Sequence, residues 1–429
     1  MSFVTHNEVK DYLKRYAKNM GVEDLIQYQS TVTQLEIMND EEHREKKDND
    51  NDNDNRPSWP QIRLQWDSSE DEGEPKVRAS HKSQASSSHS EIFDAVCICN
   101  GHYAAPATPF IPGMEENFHG KIYHSIEYDD PSIFQDKTIL CIGGRASGAD
   151  LAREISKYAT KVYLSDTTCP DLDVRDPPGH PMSEENVAWV PKTTSILPES
   201  TASFGPTCKD TPKVDIIIFC SGYDYQFPFI NDSSNLDLSA VPGERCVKPL
   251  YEQLWHAKYP SLTFLGLQHS VVPFPFFELQ AEAVVSQLCM KSGQSTSSST
   301  SWSLPSMQQR MEEAEEDANR GGPKASRIQD THFLGSYQWD ECLKYAKFAG
   351  VLDESLQKYI RTNKALYDHS GEQRKSLHPG GPDRYRYNSY VRDDENESFQ
   401  IYPLHHLLDL EDDDAKNVSV RAGSEIGAV

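Results

Sequence analysis

The segment KTILCIGGRASGADLAREISKYATKVYLSD, residues 137–166, reads as one continuous unit of structure. A short apolar run at 138–142 meets a turn carrying Gly143, Gly144 and Gly148. An amphipathic stretch follows at 149–158, then a second run of β-formers at 161–164. Strand, small-residue turn, helix and parallel strand form the front half of a dinucleotide-binding unit. Small residues keep such a turn tight, and the helix N-terminus offers unpaired N–H groups and a positive dipole end to a pyrophosphate. The pattern G-x-G-x-x-G falls on Gly143, Arg145 and Gly148. An arginine therefore occupies the position where glycine normally lets backbone approach phosphate. Taken alone, the segment fits either a nucleotide turn or an ordinary strand-to-helix turn of a large α/β protein.

The 429 residues are enough to bury a full core and to form two or more domains. With 67 acidic against 42 basic residues, the net charge of -25 argues against nucleic acid and anionic membrane as partners, since both require basic surface. The N-terminus MSFVTHNEVKDYL has no apolar core of a secretory signal, and no apolar run approaches the length needed to span a bilayer. Nine scattered cysteines then read as reduced thiols of a cytoplasmic protein. Cys97 and Cys99 alternate within a strand-like VCIC, and no second pair lies at zinc spacing, so no metal site is expected.

The chain opens on a helix, with Val9, Tyr12, Leu13, Tyr16, Ala17 and Met20 at i, i+3, i+4 spacing, Thr5-x-x-Glu8 as a capping box and Gly21 as a stop. Strand-like runs follow at 26–29 and 31–37. Residues 39–90 are acidic and serine-rich and read as a solvated insertion holding one strand, PQIRLQWD. Asp48, Asp50 and Asp52 do not make an EF-hand, because the glycine and closing glutamate are missing. A buried strand is expected at 92–99, few clear elements between Asp166 and Lys213, and buried strands at 214–220 and 262–267. Helices are expected over 277–290, 305–319 and much of 333–366, with a serine-rich linker at 291–303, a stop at Gly321-Gly322, and an acidic tail after Leu410.

Just ahead of the glycine turn, Phe118-x-Gly120-x-x-x-His124-x-x-x-Tyr128 resembles, position by position, the signature of the flavin-containing monooxygenases. VCICNGHY (96–103), FCSGYDYQFPF (219–229), SLTFLGL with VPFPFFELQAEAV (261–284), LPSMQQRMEEAEED and LGSYQWDECLKYAKFAG resemble further family segments in family order. The resemblance implies an α/β fold of two Rossmann-like dinucleotide-binding domains in three layers, with FAD and NADPH as cofactors. It implies O2-dependent oxygenation of nitrogen or sulfur in a small amine or sulfide. It assigns Asn100 to the flavin side as the catalytic residue, where the plain reading is a strand-ending turn. Gly143, Gly144, Arg145, Ser147 and Gly148 become the nucleotide turn, and Gly222 and Tyr223 lie near the cofactor. Gln280 and Ala281 fall near the flavin, and Val32 near the FAD adenine. His124 and Tyr128 are expected to brace the domain junction.

The resemblance also exposes departures. Met1 falls downstream of the family's opening strand, glycine turn and acidic residue, so the first domain is expected to be N-terminally truncated, as in a short isoform, an incomplete gene model or a decayed copy. The expected layout is a partial FAD-binding domain over 1–135 with its insertion at 39–90, an NAD(P)H-binding domain over 136–225, a return to the first domain with a helical cap over 226–366, and a mostly irregular acidic tail over 367–429. Asp166 ends the next strand, where a carboxylate favours a free ribose 2′-OH over a 2′-phosphate, and Lys161 and Arg153 are imperfect basic substitutes. NADP specificity is thereby in question. Two alternatives stay open: a catalytically impaired nucleotide-binding or regulatory protein, and an NAD(P)H-dependent reductase of the same superfold. The absence of a C-x-x-C pair speaks against the reductase.

Overall fold

Short apolar runs bounded by turn residues become the strands of this chain, and the longer 3.6-periodic stretches become its helices. The computed structural model describes residues 6–38, 59–69, 86–170, 184–292, 302–320, 330–375, 388–403 and 418–421. Thr5, the aspartates at 48, 50 and 52, the serines of 293–301, Gly321-Gly322 and most of the tail beyond Leu410 lie outside these residues. The chain divides into two units. The first comprises Met1–Gly101, Tyr225–Asp368 and Arg386–Val429, and the second His102–Asp224 and His369–Tyr385.

Helix α1 (His6–Asn19) is followed by strands β1 (Ser30–Ile37), β2 (Ile62–Ser69), β3 (Ser86–Phe93), β4 (Val96–Ile98) and β5 (Ala105–Pro106). Then come α2 (Met114–Asn117), β6 (Lys121–His124), β7 (Thr138–Ile142), α3 (Ala146–Ser156), β8 (Lys161–Ser165) and β9 (Val187–Val190). The second unit closes with β10 (Thr193–Leu197), β11 (Thr201–Phe204), β12 (Ile216–Phe219) and β13 (Tyr223–Asp224). Back in the first unit lie β14 (Leu250–Tyr251), β15 (Trp255–His256), β16 (Leu262–Phe264), α4 (Pro273–Ser292), α5 (Met307–Arg320), α6 (Gln338–Ala349) and α7 (Glu354–Lys375). Strands β17 (Asn388–Asp393), β18 (Ser398–Pro403) and β19 (Val418–Arg421) come last.

The second unit is built on a parallel sheet of order β6-β12-β7-β8-β9. Strands covered on both faces need apolar residues throughout, and TILCI of β7 and IIIF of β12 supply them. Ile139 and Cys141 point to one face, with Leu151, Ala152 and Ile155 of α3. Leu140 and Ile142 point to the other, against Ile196, Ala202 and Phe204 of the β10–β11 hairpin. The third layer here is thus a hairpin. Chain order reverses at β7, which has β8 on one side and β12 on the other. That arrangement makes the carboxyl end of β7 a topological switch point, where ligands bind in open α/β sheets.

In the first unit β1-β2-β3 form an antiparallel meander. In a separate sheet β14, β15 and β16 pair antiparallel, and β4 joins β16 in parallel. One core lies between α4 and α6, where Phe276, Leu279 and Ala283 meet Trp339, Tyr345 and Ala346. A second core gathers Leu35, Ile62, Phe227 and Phe264. Full burial of each such side chain stabilises by about 1.5–3 kcal/mol. Strands β17, β18 and β19 pair antiparallel.

Several sequence expectations need correction. Residues 92–99 are two strands, because Asp94 breaks the run and hydrogen-bonds the Gln61 side chain (2.6 Å). The serine-rich 86–91 is part of β3, since pairing with β2 satisfies its backbone whatever its side chains prefer. The run at 26–29 is not a strand; residues 23–25 turn as a short 3-10 helix. Residues 184–213 carry β9, which pairs in parallel with β8 about 25 residues earlier, and the β10–β11 hairpin. The amphipathic helix α1 buries none of its residues.

His256 is fully buried on β15, donating from Nε2 to the Asp237 carbonyl oxygen (3.1 Å) and accepting the Tyr259 N–H at Nδ1 (3.1 Å). The Tyr259 amide requires a neutral imidazole, and burial pushes its pKa from 6.5 down to about 4. A depressed histidine contributes stability that is present above the unfolded-state value and drains as the unfolded chain takes up a proton first. Denaturation at stepped pH should therefore show a loss on the order of 3 kcal/mol between about pH 6.5 and 4. His256→Gln should flatten that part of the profile.

Candidate nucleotide site

At the carboxyl end of β7 the backbone turns through Gly143 at φ +113, a conformation other residues rarely adopt, and its N–H donates to the Ser165 carbonyl of β8 (2.9 Å). A Cβ on Gly143 would lie 2.5 Å from the Cys220 carbonyl oxygen at the end of β12. On Gly148, in the first turn of α3, it would lie 1.8 Å from the Gly143 carbonyl oxygen. These glycines let helix and strands close on one another, leaving the first-turn N–H groups of an 11-residue helix facing out at the switch point. Cys220 was not singled out in the sequence; only its place at the end of the buried run 214–220 hints at this role.

Arg145 sits at the N-cap of α3 with φ -73 and ψ -170, extended backbone that any residue adopts, and its side chain makes no capping bond. The arginine therefore changes what surrounds the turn and leaves its shape intact. Ser147 is exposed beside it. The Asp166 carboxylate lies over the turn, 2.5 Å from where a Gly144 Cβ would be. It accepts the Thr168 N–H (3.2 Å) and Oγ1–H (2.5 Å), so a local turn holds the acid at the end of β8. Arg153 pairs with Asp150 on the same helix (3.1 Å).

The signature residues are structural inside this unit. A Cβ on Gly120 would fall 2.0 Å from the Asp215 carbonyl oxygen, which forces glycine there. His124 ends β6, where its Nδ1 accepts the Ile126 N–H (3.3 Å) and its Nε2 donates to the Gly222 carbonyl (3.1 Å). Burial holds its imidazole below the ordinary histidine range. Tyr128 donates to Glu154 of α3 (2.8 Å) and stacks on Phe134. Gly222, at φ +86, also accepts the Ala107 N–H (3.0 Å), and Tyr223 packs edge-on against His124 and Tyr103.

The other candidates belong to the first unit. Asn100, exposed beyond β4, donates from Nδ2 to the Gln226 carbonyl (3.0 Å). Val32, 38% exposed on β1, pairs with Trp66 beside a bulge. Gln280 is fully buried and its amide is engaged at both ends: Oε1 accepts the Gly266 N–H (3.2 Å), and Nε2 donates to Gln268 Oε1 (2.9 Å). Ala281, one position on, lines an open cavity on the outer side of α4. The structure thus gathers Gly143, Gly144, Arg145, Ser147, Gly148 and Asp166 into one site, and leaves Val32 on β1, Asn100 beyond β4, and Gln280 and Ala281 on α4.

Among its described residues the first unit offers no cradle for a flavin's pyrophosphate. Helix α4 opens with Pro273 and Pro275, which carry no N–H, and the preceding Val272 N–H donates to Gln338 Oε1 (2.6 Å). Among the described residues of that unit, no glycine turn runs from a parallel strand directly into a helix.

A family model described as flavin-binding monooxygenase-like matches residues 64–172. Flavin-containing monooxygenase FMO GS-OX5 of Arabidopsis thaliana is 33% identical over 301 residues, covering 68% of this chain and 59% of that protein. FMO GS-OX-like 3 of the same plant is 31% identical, covering 67% and 55%. The chain thus spans little more than half the length of these relatives. Among solved structures, S-allyl-L-cysteine S-oxygenase of Allium sativum is 25% identical with a TM-score of 0.67, over 92% of this chain and 75% of that one. Tmm of Pelagibacter sp. strain HTCC7211, at 17% identity and a TM-score of 0.63, shares the fold. The switch-point turn and these likenesses agree: the chain belongs to the flavin-containing monooxygenase family.

Proposed function

We propose that the chain works as a flavin-dependent monooxygenase that seats a pyridine dinucleotide on the Gly143–Gly148 turn and oxygenates nitrogen or sulfur of a small nucleophile with O2. The observation that carries the nucleotide part is the 1.8 Å clearance over Gly148, a close packing of α3 that brings its N-terminus to the end of β7. The N–H groups of Ala146, Ser147 and Gly148 would hold the pyrophosphate, with the helix dipole behind them. Asp166 would accept a hydrogen bond from the adenine ribose 2′-OH. When bound, the pyridine nucleotide supplies a hydride. The protein's own task is to fix its phosphates and ribose. The family's flavin chemistry is carried to this chain by membership alone, because the first unit's described residues do not build a phosphate cradle. That mismatch favours a second reading, a nucleotide-binding or regulatory protein without stable flavin.

A visible spectrum of the purified chain after reconstitution with FAD separates the two. Bound-flavin absorbance together with sulfide- or amine-stimulated NAD(P)H oxidation supports the monooxygenase. Nucleotide binding without flavin absorbance supports the second reading.

Nucleotide titration followed by tryptophan fluorescence tests the turn. Gly148→Ala should abolish binding and cost on the order of 2 kcal/mol or more, since backbone has to move. Gly371→Ala, in α7 with open space around it, should leave binding intact and stabilise by about 0.5–1 kcal/mol.

The same titration with NADH and NADPH tests the acid. The native chain should prefer NADH, and Asp166→Asn should shift the ratio toward NADPH by about tenfold. An unchanged ratio removes Asp166 from the site.

A further inference from the structure

On the outer side of α4 lies an open cavity of about 590 Å³, within the size range of small-molecule pockets. Its apolar lining combines Tyr12, Leu13 and Tyr16 of α1 with Phe274, Phe277 and Val285 of α4, and the Tyr12 and Phe274 rings stack at 5.3 Å. Helix α1 buries none of its residues, so this apolar face is left to the cavity. Three polar groups of α4 line the same space: Glu278, Glu282 and Ser286, each one turn from the next.

The two carboxylates have no ion-pair partner among the described residues. Adjacent like charges on one helix face destabilise it unless a cation lies between them. Although Glu282 reaches solvent, partial burial, and then the Glu278 charge, push its carboxyl above the ordinary glutamate value. Ser286 is 4% exposed, and its Oγ has no hydrogen-bond partner among the described residues. A native protein rarely leaves a buried hydroxyl unsatisfied without a reason. Aromatic faces, an uncompensated carboxylate pair and an orphaned hydroxyl share one complement, a positively charged N–H donor on an apolar body.

We propose that this cavity is a binding site for an organic ammonium ion carrying an aromatic or alkyl tail. The ammonium donates to Glu278 and Glu282 and the tail lies along the apolar lining that α1 and α4 supply. The site shares no residue with the turn at Gly143, and its occupancy does not depend on nucleotide or flavin.

Calorimetric titration of the full chain with phenylbutylammonium, and with phenylbutanol as the neutral isostere, tests it. The ammonium should bind saturably, and the alcohol at least about tenfold more weakly. The paired substitution Glu278→Gln and Glu282→Gln should erase that preference while leaving alcohol binding in place, with the far-ultraviolet circular dichroism unchanged. Tyr12→Ala should weaken both ligands. Equal affinity for ammonium and alcohol, a preference that survives the paired substitution, or no saturable ammonium binding overturns the proposal.

Discussion

The packing of α3 onto the end of β7 is the contact on which the second unit depends. The Gly143 carbonyl and the Gly148 α-carbon approach so closely that no side-chain carbon fits between them, and the Cys220 carbonyl leaves too little room for one over Gly143 from beyond β12. Three consequences follow from that approach. The helix lies flat enough on the sheet for Leu151, Ala152 and Ile155 to reach the core. Its first-turn N–H groups emerge at the point where strand order reverses. The neighbouring strand β8 ends beside the turn, so Asp166 lies over Gly144.

The signature around Phe118–Tyr128 gains a physical account from the same sheet. Gly120 is required because β6 runs against the carbonyl of Asp215, His124 ties the end of β6 to Gly222, and Tyr128 ties the following turn to α3 through Glu154. These residues act by holding the elements that flank the turn. Their hydrogen bonding fits that role: His124 Nδ1 accepts an N–H, while burial lowers the pKa of its imidazole and raises the Tyr128 phenol well above its ordinary value.

The two units divide the chemistry unevenly. The second presents glycine turn, helix N-terminus and acid in one place. The first presents a polar network around Gln280, Gln268 and Tyr345 that satisfies itself, and an aromatic cavity whose polar groups do not. A side chain such as Gln280, with both ends of its amide engaged inside the core, stabilises the turn at Gly266 and has little left to offer a ligand.

Sequence alone determined the parts whose cause is local. The apolar runs of β7 and β12, the period of α3, and the glycines at 143, 144 and 148 specify strand, turn and helix through a few consecutive residues. The tertiary structure decided what depends on distant partners. It showed that Arg145 leaves the turn's backbone unchanged, that β9 forms against β8 where the sequence lacks periodicity, and that a serine-rich run becomes β3 by pairing with β2. It also separated Gln280 from Ala281, adjacent in sequence but directed to a sealed network and to an open cavity. Successive helix positions point about 100° apart, so neighbours on α4 inherit different surroundings that only the packed fold supplies.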